Sequence, residues 1–208
     1  MSLVRDLLID HAKDSSMAAR ARLNRWAVLS GRFPGLASMS VVDLGGEPAA
    51  WLRSPVRPRS LVCVNLNESI ATEGGIEVIR GDACTIKDIG HFDLVYSNSC
   101  IEHVGGHDRC MAFANNVREL GDHYWVQTPY RYFPIEPHYI FPGAQFLPLR
   151  LQMLVGEKWS LSFVGATADD GLSIDLLSKT SLAYYCPEAE IWKEKMFGLT
   201  KSLVAIRD

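Results

Sequence analysis

Four short stretches carry the side chains whose types and spacing could do chemistry. The first is Asp43-Leu44-Gly45-Gly46-Glu47, an acid followed by two glycines and a second acid. The second is Asn65, with Asn67 and Glu68 behind it. The third is Asp82-Ala83 after Gly81, and the fourth is Ser97-Asn98-Ser99, which runs on into Ile101-Glu102-His103-Val104. A glycine turn opening a helix can cradle a pyrophosphate, but Glu47 at that helix start would repel one. Two carboxylates beside the turn suit a cationic ligand better. Asp82 could accept from an amine, and a small Ala83 would let the backbone approach. His103, His138 and Tyr130 are the groups nearby that can take or give a proton. Each stretch also has a plainer use. Gly45-Gly46 and Gly81-Asp82 could be tight turns, Asn65 a turn closer and His103 a cap. What sets them apart is that all four fall in order behind apolar runs.

Those runs are the elements that must position them. Residues 41–44, 61–66, 76–79, 92–96 and 123–127 read as buried strands, rich in β-branched and aromatic residues. Residues 107–120 read as a helix with Cys110, Ala114 and Val117 on one face and Asp108 in its first turn. Helical or loop segments between the strands imply parallel crossovers, so the strand ends share one edge, where ligands bind in open sheets. Residues 2–30 read as helical, broken at Asp14-Ser15-Ser16. Their basic residues, Lys13, Arg20, Arg22, Arg25 and Arg32, fit a solvated face, or a contact with an anionic surface. Residues 173–186 read as a helix, with Thr180 or Ser181 as a cap for its last part. Residues 189–197 and 201–206 form a hairpin around Gly198, which gives the sheet an antiparallel end. The segment 129–148 gathers Tyr130, Tyr132, Phe133, Tyr139, Phe141 and Phe146 among five prolines. It reads as a wall over the carboxyl edge or as packing on the sheet, with Glu136 and His138 its polar members.

Bulk properties exclude several classes. A chain of 208 residues is long enough for one full core. A net charge of -3 gives no basic field for nucleic acid. No apolar run approaches the roughly 20 residues of a membrane span, and Arg5, Asp6 and Asp10 interrupt any signal-peptide pattern. Five cysteines without a C-x-x-C pair imply reduced thiols, a cytoplasmic location and no metal site.

Taken together, V-V-D-L-G-G at 41–46, V-N-L-N at 64–67, G-D-A at 81–83 and F-D-L-V-Y-S-N-S-C-I-E-H-V at 92–104 resemble the class I S-adenosylmethionine-dependent methyltransferases in order and spacing. The stretches 127–142 and 198–205 look like a bacterial subgroup of small members, so the resemblance covers residues 40–208. It implies an α/β three-layer sandwich with a Rossmann-like, mostly parallel seven-stranded sheet, an antiparallel C-terminal strand and added N-terminal helices. It implies a single domain, with residues 1–38 as a helical extension that could cover the pocket and 40–208 as the donor-binding core. S-adenosyl-L-methionine would be the methyl donor and S-adenosyl-L-homocysteine its product. Asp43, Gly45, Gly46, Glu47, Asn65, Asp82, Ala83, Ser97, Asn98 and Ser99 would hold the donor. Asp82 would accept the adenine amino group and the Ala83 N–H would meet a ring nitrogen. Asn65 stands where the family usually has an acid for the ribose diol, with Glu68 as an alternative. Ser97, Asn98 and Ser99 would lie beside the methionine part. The glycine loop departs from the family's G-x-G-x-G, because Glu47 and Ala49 stand where glycines are expected. The acceptor would be a small molecule or lipid-like, given the apolar segment 129–148, with peripheral membrane contact open and the oligomeric state unspecified. Two other readings stand beside this one: a non-catalytic module that binds the donor, and an NAD-dependent oxidoreductase, which Glu47 and the missing third glycine disfavour.

Overall fold

The computed structural model describes residues 17–136, 141–158 and 174–208. Its strands form where the apolar runs are. They are β1 (Ser40–Leu44), β2 (Ser60–Asn65), β3 (Glu77–Arg80), β4 (Phe92–Asn98) and β5 (Gly121–Pro129). Val41, Val42, Leu44, Leu94 and Val95 have no exposed surface, as expected of parallel strands covered on both faces. β4 and β5 run further than their apolar centres. Ser97 and Thr128 extend them as fully buried polar residues, Ser97 bonded to the end of β1 and Thr128 to Glu102 in the turn after β4. A short ladder follows, β6 (Ile135–Glu136) against β7 (Phe141–Pro142), and then the hairpin β8 (Glu190–Met196) and β9 (Leu199–Arg207).

The main sheet has seven strands in the order β3-β2-β1-β4-β5-β9-β8. The first five are mutually parallel, and β9 pairs antiparallel with both β5 and β8. The mostly parallel Rossmann-like sheet is therefore present, with β9 as the antiparallel C-terminal strand. Strand order reverses between β1 and β4, so their carboxyl ends splay apart and leave a crevice.

Two apolar layers cover the sheet. On one side, α3 (Gly106–Leu120) and α5 (Lys179–Tyr185) bury Cys110, Phe113, Val117 and Leu182 against Val42, Val95 and Leu203. On the other, α1 (Met17–Arg32) and α2 (Pro48–Leu52) pack Leu29, Trp26 and Trp51 on Leu94, Tyr96 and Trp125. The segment 17–38 is thus part of the sandwich, with Leu29, Phe33 and Leu36 in the core. Residues 1–16, including the expected break at Asp14-Ser15-Ser16, lie outside the described residues. A further helix, α4 (Leu149–Lys158), follows the β6–β7 ladder.

Two sequence expectations change. The basic face of α1 is not simply solvated, because Arg25 pairs with Glu194 and Arg32 pairs with Glu190 and Asp208, tying the helix to β8 and the C-terminal end. The helix over 173–186 is shorter. Asp175 and Leu177 are drawn into extended contacts: Asp175 N–H donates to the Glu102 carbonyl at 2.7 Å, and Leu177 bridges Tyr130. The helix starts only at Lys179, and its cap is Ser178, whose Oγ accepts from Ser181 N–H at 3.0 Å. Neither Thr180 nor Ser181 caps it, because both already lie inside the first turn.

Candidate functional site

At the reversal point, the ends of β1 to β4 enclose a cleft of about 330 Å³. Its floor is the β1–α2 turn. Gly45 has φ +84°, a conformation that favours glycine, and a Cβ there would meet Cys100 Sγ at 2.6 Å. Gly46 is required for another reason. A Cβ on it would lie 2.0 Å from Asp43 Oδ2. The chain then leaves the left-handed region: Glu47 is extended (φ -132°), Pro48 opens α2 and Ala49 is helical. The turn is complete with two glycines, which accounts for Glu47 and Ala49 where a third was expected.

Asp43 points under this turn. Trp51 Nε1 donates to its Oδ2 at 2.7 Å, while Oδ1 is buried with no partner among the described residues. Burial pushes the carboxyl up to about 7, against the opposing pull of the Trp51 hydrogen bond. The folded state therefore holds a proton that the unfolded chain releases near its ordinary pKa of 3.8. Folding stability should fall as pH rises from about 4 to about 7, where the folded state binds more protons than the unfolded. Asp43→Asn keeps an acceptor for Trp51 and removes the titration. Urea unfolding across this pH range should show the variant losing less stability than the parent protein; parallel profiles for both would refute this assignment of the proton.

Asn65, at the end of β2, is a staple for the turn. Its Nδ2 donates to the carbonyls of Gly45 (3.2 Å) and Gly46 (3.1 Å), and its Oδ1 accepts from Asn67 N–H at 3.0 Å. The Asn65 amide hydrogens are thus already committed, leaving only acceptor capacity toward the cleft. Glu68 pairs with Arg80 instead.

Beyond β3, Asp82 and Ala83 both line the cleft. Arg109 Nη2, from α3, donates to Asp82 Oδ1 at 2.9 Å and Oδ2 at 2.8 Å, and Cys84 N–H donates to Oδ1 at 2.9 Å. Burial alone would raise the Asp82 pKa. The Cys84 N–H and the Arg109 guanidinium outweigh it and hold the carboxyl below its ordinary range. A fixed carboxylate results, three of whose roughly four acceptor positions are filled. The neighbouring Ala83 N–H has no acceptor among the described residues.

The fourth wall follows β4. Ser99 adopts φ 56°, costly for a non-glycine residue. Gln127 holds it there twice: Ser99 N–H donates to the Gln127 carbonyl and Ser99 Oγ to Gln127 Oε1, each at 3.0 Å. This strained corner turns Cys100 and His103 toward the cleft.

The structure therefore brings together Gly45, Asn65, Asp82, Ala83, Ser99 and His103 around the cleft. It sets Asp43, Gly46, Glu47, Ser97 and Asn98 outside the lining. Asp43 and Gly46 support the turn from below, and Glu47 is exposed at the α2 cap. Ser97 Oγ donates to the Leu44 carbonyl at 2.8 Å, joining the ends of β4 and β1. Asn98 faces α1, where its Oδ1 accepts from Arg25 Nη1. Tyr130 is not in the lining either. It packs edge-on to Tyr132 at 5.5 Å, beside the stacked Tyr132–Phe146 pair at 6.1 Å, so the described part of 129–148 is an aromatic wall beyond β5. His138 lies outside the described residues. Arg109 and Cys100 are lining residues that the sequence did not flag. A first-turn arginine looks like an ordinary helix cation until α3 is laid against the β3 end.

No family model matches the chain, and no curated protein matches it. Solved structures do. The N-methyltransferase NodS from Bradyrhizobium japonicum WM9, in complex with S-adenosyl-L-homocysteine, aligns over 100% of this chain and 96% of its own, with TM-score 0.60 and 12% identity. The fold is that of the class I methyltransferases. A DhpI–SAH complex agrees with this fold, at TM-score 0.59 and 15% identity over 99% of this chain and 90% of that one. So does the magnesium protoporphyrin IX methyltransferase ChlM from Synechocystis PCC 6803 with bound SAM, at TM-score 0.55 and 10% identity over 100% and 90%. In open α/β sheets ligands bind in the crevice at the strand-order reversal, and the cleft described above lies there.

Proposed function

We propose that the protein transfers a methyl group from S-adenosyl-L-methionine to a small or lipid-like acceptor. The observation that carries this reading is the pair at the β3 end: a carboxylate held charged by Arg109 and Cys84, next to the open Ala83 N–H. An acceptor beside a donor matches the amino edge of an adenine. The β1–α2 turn supports the same choice. α2 has only five residues and begins behind Glu47, which offers a pyrophosphate nothing and so speaks against an NAD-dependent oxidoreductase.

The residues present fit the donor. Asp82 and Ala83 would take its adenine, Asn65 Oδ1 a ribose hydroxyl, and the Gly45 turn with Ser99 the amino-acid end. The donor supplies a methyl carbon already activated by a sulfonium leaving group. The chain's own part is then largely alignment: a rigid floor, a corner locked by Gln127, and an acceptor held in line. His103, beside the cleft, is the described residue best placed to take a proton if the acceptor needs a base. Tyr130 and His138 remain candidates from the segment beyond β5. The aromatic wall of Tyr130, Tyr132 and Phe146 suits an apolar acceptor body.

Calorimetric titration with S-adenosyl-L-homocysteine, with NAD as control, tests the reading. Micromolar-range binding to the first ligand alone is expected, weakened about tenfold or more in Asp82→Ala, as for loss of a hydrogen bond to a charged group. Binding to NAD, or equal affinity in the variant, would overturn it. Donor binding without turnover across a broad acceptor panel would favour the non-catalytic module.

A further inference from the structure

The turn that follows β3 is held from outside as well as from within. Asp82 starts it. Its carbonyl accepts from Thr85 N–H at 3.0 Å and Ile86 N–H at 2.8 Å, and its Oδ1 accepts from Cys84 N–H at 2.9 Å. Among the described residues, no backbone N–H reaches the Ala83 carbonyl. Asn116 of α3 does, its Nδ2 donating at 2.9 Å. Lys87 Nζ donates to Asn116 Oδ1 at 3.2 Å and also pairs with Glu119, further along the same helix. An ammonium only donates, so Lys87 fixes which end of the amide is oxygen and turns the NH₂ group toward Ala83.

An asparagine at this place would destabilise the core without partners. Asn116 is 1% exposed, on the helix that buries Phe113 and Val117, and a desolvated amide is tolerated only when its hydrogen bonds are made. What it holds accounts for its presence. The peptide joining Ala83 to Cys84 is pinned at both ends, its carbonyl by Asn116 and its N–H by the Asp82 carboxylate. Arg109 grips that same carboxylate. Arg109 and Asn116 stand about two helical turns apart on α3, so one face of one helix carries both. α3 thus acts as a ruler. It fixes the Asp82 acceptor at one end, and at the other the backbone of Ala83 with its open N–H.

Resting on the methyltransferase reading, we propose that Asn116 is a positioning residue for donor selection: it sets the Ala83 N–H against the Asp82 carboxylate so that the pair accepts an amino-purine and rejects an oxo-purine. Adenine offers an amino donor beside a ring-nitrogen acceptor, which matches a carboxylate beside an N–H. Hypoxanthine offers an oxo acceptor beside a ring N–H, so each of its groups faces its like. Such discrimination is strong only while the two protein groups keep their spacing. A turn free to shift would let water bridge the mismatch. Asn116 touches no ligand itself and acts through the turn.

Calorimetry on the full chain with S-adenosyl-L-homocysteine and S-inosyl-L-homocysteine reads this role as a ratio of affinities. The parent protein should prefer the first by about a hundredfold or more, because the second leaves polar groups of the site unpaired. In Asn116→Leu, similar in volume, the ratio should fall about tenfold, roughly what one hydrogen bond contributes. Asn116→Asp, measured at about pH 8, keeps the volume and the Lys87 contact. It should lower the ratio too, because Lys87 holds the new carboxyl charged and its second oxygen opposes the Ala83 carbonyl. This variant carries the test if the leucine variant does not fold. Val117→Ala trims the core one position along α3 and is the control, with a lower melting temperature and an unchanged ratio expected. Asn116 variants that weaken both ligands equally, or neither, would overturn the proposal and leave the donor reading intact. A parent protein that takes both ligands alike would overturn the adenine-edge assignment and this proposal with it. One that binds neither would overturn the donor reading itself.

Discussion

Gly46→Ala is expected to destabilise the protein by about 3 kcal/mol, the upper end of the usual cost of overpacking a core. The added methyl would sit 2.0 Å from Asp43 Oδ2 and 2.1 Å from Asp43 Cγ. That carboxyl cannot swing away, because it is buried and held by Trp51 Nε1 at 2.7 Å. The strain must go into the turn, which also forms the floor of the cleft. Thermal unfolding should show the melting temperature falling by about 6–12 °C for a domain of this size, with affinity for S-adenosyl-L-homocysteine falling too. Combining the change with Asp43→Ala, which removes the obstructing atoms, should cost less than the two single changes added together. Gly31→Ala is the control. A Cβ there has nothing within 4 Å, and the position is helical, so stability should stay level or rise by about 0.5 kcal/mol. A melting temperature for Gly46→Ala within a degree or so of the parent's would mean the turn is softer than its packing implies.

Breaking the Arg25–Glu194 pair should have an effect of similar or larger size. The two side chains are 13% and 2% exposed, and Arg25 binds both carboxylate oxygens. Arg25→Met strands a buried charge on β8, at a cost of about 3–5 kcal/mol. The loss should be local first. α1 is held on the sheet by this pair, by the Arg32 contacts to Glu190 and Asp208, and by Trp26 against Trp51 and Tyr96 at 5.0 and 5.9 Å. Hydrogen exchange should therefore speed up in α1 more than in α3. The double variant Arg25→Met with Glu194→Leu should recover most of the stability, since an apolar pair of similar volume needs no counter-charge. Equal loss in the single and double variants would mean that packing, not charge, carries the effect.

Much of the frame was legible because it depends on local pattern. Buried parallel strands must be apolar on both faces, so V-V-D-L, L-V-C-V and F-D-L-V-Y show themselves, and glycines and polar residues then mark the strand ends. α3 was legible for a related reason, since Cys110, Ala114 and Val117 repeat at helical spacing. The 173–186 segment misled because Asp175 and Leu177 follow distant partners instead of their own helical tendency. The aromatic run beyond β5 was visible as composition, but not its stacking of Tyr132 on Phe146.

The sequence by itself determined the α/β class, the order of the strand-end motifs, and the candidacy of Asp82, Ala83, Gly45 and Ser99, because each rests on residues within a few positions of one another. Only the tertiary structure decided which way each side chain faces. It turned Asp43 beneath the floor, committed the Asn65 amide to the loop carbonyls, and brought Arg109 to Asp82 from 27 residues away. It also joined Arg25 to Glu194 across 169 residues. Those pairings arise when separate elements are packed against a common sheet, and electrostatic partners chosen in that way leave no periodic trace in the chain.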